Sequence, residues 1–170
     1  MGSIVGAALV SHVPPLVMPE EDRRAMNHGC DTTLFAGLHE LRAAKLDAAR
    51  PDTIVVFDTH WATTVETIIT SHAERSGIYT SEELPRGMRQ VPYSFPGDRE
   101  LAQVTSALAA PRDDTWITAI DDPYLPVHYG TINLLPFLQG DERWVTVSIV
   151  QTGEPHDYLL AGQLLAQAIA

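Results

Sequence analysis

A chain of 170 residues with a net charge of −11 repels phosphate backbones and anionic membranes, which excludes nucleic acid and lipid surfaces as its main partners. At 45% hydrophobic and 19% charged residues, without repeats or biased tracts, it is composed like one globular domain, 1–170, long enough to bury roughly two thirds of its unfolded surface. Cys30 is the single cysteine, so an internal disulfide and a thiolate zinc cage are excluded too.

The N-terminal run I-V-G-A-A-L-V-S-H, ending at His12, reads as a buried strand. It is too short to span a bilayer and lacks a basic leader, so a cytoplasmic protein is expected. From Val13 to Cys30, prolines and the lack of a period predict a long loop over the end of that strand. Asp31 is the predicted N-cap of a helix carrying Leu34, Phe35, Leu38 and Leu41 on one face and finished before Pro51. A second strand follows at Thr53–Phe57, running into D-T-H at His60, and a third at Val65–Thr70. Residues 76–97, with prolines at 85, 92 and 96, read as irregular, a pocket wall or lid. Asp98 then starts a helix through Leu101, Val104 and Leu108. Trp116–Ile120 is a strand, Tyr129–Leu138 a helix, Trp144–Val150 a strand, and a last helix runs from about His156. Strands alternating with helices predict an α/β fold, a mostly parallel central sheet flanked by helices on both faces. The last helix carries Leu159, Leu160, Leu164 and Ile169 and lacks a glycine or basic stop signal before Ala170. It therefore reads as the middle of a fold, incomplete at the C-terminus, and the chain as the N-terminal portion of a longer protein.

Open α/β folds bind ligands outside the carboxyl ends of their strands. His12 and His60 thus place two imidazoles where a metal or substrate would sit. Imidazole suits iron, zinc, copper or nickel, and two histidines with one carboxylate leave the open positions of non-haem Fe(II) oxygenases. Asp58, two residues before His60, shares its strand face and either orients an imidazole or caps a local turn. Trp61 and Pro15 flank the histidines and either wall an aromatic substrate or pack the core. His28 lines the pocket from the long loop or belongs to a turn. Cys30 reads as a small buried residue, His39 and His72 as surface residues, and His156 as a cap of the last helix. Arg86 and Arg89 are placed to meet a substrate carboxylate or solvent. No glycine-rich phosphate loop follows any strand.

Five sequence words lie in order along the chain: S-H-V-P at 11–14, N-H-G-C at 27–30, V-F-D-T-H-W at 56–61, Y-T-S-E-E-L-P at 79–85 and Y-G-T at 129–131. Through them the chain resembles the class III extradiol ring-cleavage dioxygenases of the LigB-like superfamily, nearest the homoprotocatechuate and aminophenol dioxygenase branches. The resemblance implies a mononuclear Fe(II) site with His12 and His60 as two ligands, in an enzyme of aromatic catabolism. It places Tyr129 where several relatives carry an active-site histidine. His128 falls where close relatives often carry an acidic residue, and with Tyr129 it is a candidate to hydrogen-bond substrate or dioxygen. It also implies that a glutamate ligand and the acid/base histidine lie beyond residue 170. A metal held by two imidazoles alone is weak, so this stretch of chain by itself is expected to bind iron poorly and to be inactive. The implied reaction opens a catechol or aminophenol ring beside its heteroatoms with O2, giving a muconic semialdehyde-type product. A homo-oligomer is expected, with pairing to a small second subunit, as in some relatives, as the alternative. Two other readings are a non-catalytic Memo-type protein with the same crevice and a zinc-dependent dioxygenase of a dihydroxyphenylalanine-like substrate.

Overall fold

The computed structural model describes residues 2–82 and 88–170. In chain order, a 3-10 turn (Pro14–Val17) leads to α1 (Glu20–Met26), α2 (Leu34–Leu41) and α3 (Asp47–Ala49). Then come β1 (Thr53–Thr63), β2 (Thr67–Thr70), β3 (Glu74–Tyr79), β4 (Val91–Pro96) and α4 (Arg99–Ala109). The chain continues with β5 (Ile117–Ile120), α5 (Tyr129–Leu138), β6 (Arg143–Val150) and α6 (Pro155–Ile169).

The main sheet has strand order β1-β6-β2-β5, with β1–β6 and β2–β5 parallel and β2–β6 antiparallel. Side chains alternate across a strand, and the alternation divides the core in two. Ile54, Val56 and Trp144 face a cluster built with Leu38 of α2 and Ile132, Leu135 and Phe137 of α5. Val55, Val145 and Val147 face the opposite cluster, with Ala102 of α4 and Leu164 and Leu165 of α6. The predicted mostly parallel sheet with helices on both faces is what the chain forms. Helix α5 is buried on nearly every side, as expected of a helix packed between the sheet and a further layer.

Helix starts follow side-chain acceptors. The Asp98 carboxylate accepts the Leu101 N–H at 3.1 Å, capping α4 as predicted. The cap of α6 is Glu154, in a reciprocal capping box with Asp157, and His156 lies exposed beside Asp157. Asp31 is no cap either: both its oxygens bind Arg23 at 2.8 Å, and Thr33 takes the N-cap position. That pairing holds the Asp31 carboxyl down at about 2.

Three other stretches differ from expectation. Residues 2–13 form no strand, and Ile4, Val5 and Leu9 are exposed. An apolar run registers what it could bury, whereas a strand also needs a partner edge, and no described strand pairs with this one. Residues 13–30 hold the 3-10 turn and α1, with three acidic residues in the first turn of that helix. Within 76–97, β3 and β4 pair as an antiparallel hairpin from Glu74↔Pro96 to Tyr79↔Val91. Pro92 and Pro96 are tolerated because residues an even number apart turn their missing N–H groups to one edge of the strand. Glu83 to Gly87, with part of the Y-T-S-E-E-L-P word and Arg86, lie outside the described residues.

Candidate metal centre

The decisive irregularity is in β1. Pairing with β6 runs in step from Thr53↔Arg143 to Asp58↔Ser148, then resumes only at Ala62↔Ile149. Thr59, His60 and Trp61 are therefore expelled from the ladder in a bulge, a device that re-aims side chains beside active sites. His60 faces the N-terminal segment, and the His12 and His60 ring centroids stand 5.6 Å apart at 79°. Tyr129, first residue of α5, completes the group, with its ring 3.7 Å from that of His60 and 5.5 Å from that of His12. His12 is thus delivered by an irregular segment rather than by a strand end, yet the two imidazoles meet as predicted.

Two buried side chains fix this arrangement. Asp58 accepts from the Thr131 N–H at 2.8 Å, the Thr131 hydroxyl at 2.7 Å and the His60 N–H at 2.9 Å. Its carboxylate closes the bulge and caps the first turn of α5, so it orients His60 through the backbone and makes no bond to an imidazole ring. Gly130 is required here, since a Cβ would lie 2.3 Å from Asp58 Oδ1. Asn133, fully buried one turn after Tyr129, donates from Nδ2 to the carbonyls of His12 at 2.6 Å and Val13 at 3.2 Å. Sequence reasoning passed over Asn133, although a carboxamide inside so apolar a helix must find partners.

An imidazole nitrogen binds a divalent metal at about 2.0–2.1 Å, which puts the centroids of two rings on one ion about 5 Å apart. The 5.6 Å separation suits two donors of one centre. Among the described residues, no group of three or more His, Cys, Asp or Glu side chains is placed to hold a metal. The two imidazoles present thus fit two positions of a metal site.

The family of catalytic LigB subunits of aromatic ring-opening dioxygenases matches residues 6–169. This chain belongs to the LigB family. A 3,4-dihydroxyphenylacetate 2,3-dioxygenase from Escherichia coli is 32% identical over 158 residues, 93% of this chain and 56% of that protein. The chain therefore spans just over half the length of that relative. An uncharacterized protein of Escherichia coli K12 superposes with a TM-score of 0.54 at 23% identity, over 82% of this chain and 49% of that one. That likeness shows a shared fold alone.

The remaining candidates divide clearly within the LigB chain. Trp61 is buried and stacks on His128 with centroids 5.6 Å apart and planes 16° from parallel. Burial pushes the His128 pKa down, the Asp58 charge pulls it back up and His60 lowers it further. Pro15 is half-buried in the turn just after His12. His28 sits exposed in a left-handed turn with Gly29, and Cys30 is exposed rather than buried. The ring contacts joining His12, His60 and Tyr129 do not extend to His28. Arg89 is exposed, and His39 is exposed with its ring edge on Phe137.

His72 departs from expectation, being buried rather than on the surface. Its Nε2 meets the Asp122 carbonyl at 2.8 Å, while Nδ1 has no partner among the described residues. Buried Arg75 binds the carbonyl of Leu125. Together they clasp the 121–127 loop that leads into His128 and Tyr129. An open cleft of about 750 Å³, lined by Val65, Asp113, Asp114, Trp116 and Asp157, shares no residue with the histidine cluster. Its Arg112 is engaged by Asp114 at 2.6 Å. No helix among the described residues is long and apolar enough to cross a membrane.

Proposed function

We propose that this chain supplies the two-histidine half of the iron centre of an extradiol dioxygenase acting in aromatic catabolism. The observation that carries the reading is the convergence of His12 and His60 with Tyr129 against both rings. His12 and His60 would hold the metal, with a third ligand, a glutamate by the family resemblance, coming from outside the described residues. Bound Fe(II) supplies a Lewis-acidic, redox-active centre at which an aromatic diol and dioxygen can be brought together.

The chain's own residues then position and protect. Tyr129 shields one side of His60. His128, kept neutral near pH 7 by burial, is available to accept a proton from a substrate hydroxyl. Trp61 fixes the His128 plane from behind. Pro15 and Trp61 supply apolar wall. The similarity to 3,4-dihydroxyphenylacetate 2,3-dioxygenase supports a catechol bearing an acidic side chain as the substrate. A cytoplasmic location and a homo-oligomeric assembly belong to the same proposal.

The test is anaerobic loading with Fe(II) of the complete protein, carrying the third ligand as well as this chain, followed by metal analysis and oxygen uptake with 3,4-dihydroxyphenylacetate. Stoichiometric iron with catechol-dependent oxygen uptake is expected, and His12→Ala or His60→Ala should remove both. Tight binding of zinc instead, or iron content unchanged in both variants, would refute the proposal.

A further inference from the structure

We propose that Asn133 is a positioning residue of the metal centre, setting the place of His12 as the Asp58–Thr131 contact sets that of His60. The inference rests on His12 and His60 being the metal donors, as argued above. His60 belongs to β1 and is aimed by a bulge whose open loop is closed by Asp58. His12 has no such frame, because residues 2–13 make no ladder and most of their apolar side chains face outward. A side chain at the end of an unpaired segment is placed only by what grips its backbone. Here the grip is the Asn133 carboxamide, whose two Nδ2 hydrogens serve the successive carbonyls of His12 and Val13.

The same helix holds both donors. Thr131, at the start of α5, receives the Asp58 carboxylate; Tyr129 lies against both imidazoles; and Asn133, on the Tyr129 face one turn later, holds the His12 backbone. The first turns of α5 thus form a template that sets the spacing of two ligands from unconnected parts of the chain. A purely structural demand would be met more cheaply by an apolar residue, because Asn133 Oδ1 is buried without a partner among the described residues. An unsatisfied acceptor tolerated at a fully buried position points to the value of the two donated hydrogen bonds.

Asn133→Asp keeps the shape, removes both donors and sets oxygen against two carbonyls. Anaerobic titration with Fe(II) of the complete protein, carrying the third ligand as well as this chain, should show its dissociation constant raised about 10- to 100-fold, the usual effect of losing a group that orients a ligand. Val145→Ala, in the core on the other face of the sheet, lowers stability without touching α5 and should leave that constant at the wild-type value. His12→Ala in the same titration should abolish binding, which checks the donor assignment separately. If N133D does not accumulate as folded protein, N133A carries the same expectation. Wild-type affinity in the Asn133 variant, or an equal loss in V145A, overturns the inference while leaving the donor assignment intact. Wild-type affinity in His12→Ala overturns both.

Discussion

The Asp58 carboxylate sits over the first turn of α5 and takes two hydrogen bonds from one residue, the N–H and the hydroxyl of Thr131, at 2.8 and 2.7 Å. This ties the strand that carries His60 to the helix that carries Tyr129. All the groups involved are buried, so solvent competes little and an unmade bond exposes a desolvated donor. Asp58→Asn should cost about 2–3 kcal/mol, and Thr131→Val about 1 kcal/mol. Urea unfolding of the two single variants and the double variant forms a cycle in which the pair should couple by at least about 0.5 kcal/mol. Additive losses would show that the two residues stabilise the fold independently.

Gly130 offers a sign reversal. In the wild-type background a methyl there meets Asp58 Oδ1 at 2.3 Å, and the three nearest obstructing atoms all belong to Asp58. Gly130→Ala should therefore destabilise by about 1–3 kcal/mol, as overpacking does. In an Asp58→Ala background the obstruction is gone. The ordinary helical preference for alanine should then make the same change neutral or stabilising, by up to about 1 kcal/mol. Unfolding midpoints of the four proteins decide it, and a G130A loss of the same size in both backgrounds would contradict the contact.

Most of the elements could be read from residue pattern, because each carries a local signal. Asp98 before an apolar period gave the α4 start, and the β-branched run at 144–150 gave β6. The approach of His12 to His60 was also legible, but for an incomplete reason. His60 is aimed by a register shift that depends on which strand lies beside β1, and His12 by a carboxamide 121 positions away. Neither partner choice is written locally. The hairpin of β3 and β4 was hidden by its prolines, whose cost depends on which edge of the strand faces solvent. His72 looked polar among polar neighbours, yet the loop it holds folds over it.

His72 makes stability depend on pH with a definite sign. With Nε2–H donated to the Asp122 carbonyl, Nδ1 is buried, and a proton added there would find no acceptor among the described residues. Desolvation accordingly lowers the folded pKa below 6.5. The Asp122 carbonyl and the Asp121 charge oppose the shift, and Arg75 and Arg99 reinforce it. The unfolded chain binds this proton more readily than the folded one. The contribution of His72 is thus fully present above about pH 6.5 and is lost as pH falls through the folded pKa. His72→Gln, which can still donate to Asp122, should show a gap to wild type that is constant from pH 8 to about pH 6.5 and narrows as pH falls further towards 5 in urea midpoints. A gap independent of pH would mean that His72 does not titrate between the two states.

Metal binding should itself stabilise the fold, since a ligand that binds only the native state adds RT ln(1 + [L]/Kd). For Fe(II) at 100 times its dissociation constant this is about 2.7 kcal/mol, which in a domain of this size raises the midpoint by about 5–10 °C. The increment belongs to the donors. His12→Ala and His60→Ala should melt near the wild-type apoprotein and show no rise with Fe(II), and a chelator should return loaded wild-type protein to that same temperature. His28→Ala, in the exposed turn, should keep the full rise. Scanning calorimetry under anaerobic conditions measures all four proteins together. A rise in the His12 variant equal to that of wild type would place the bound iron somewhere other than between these two rings.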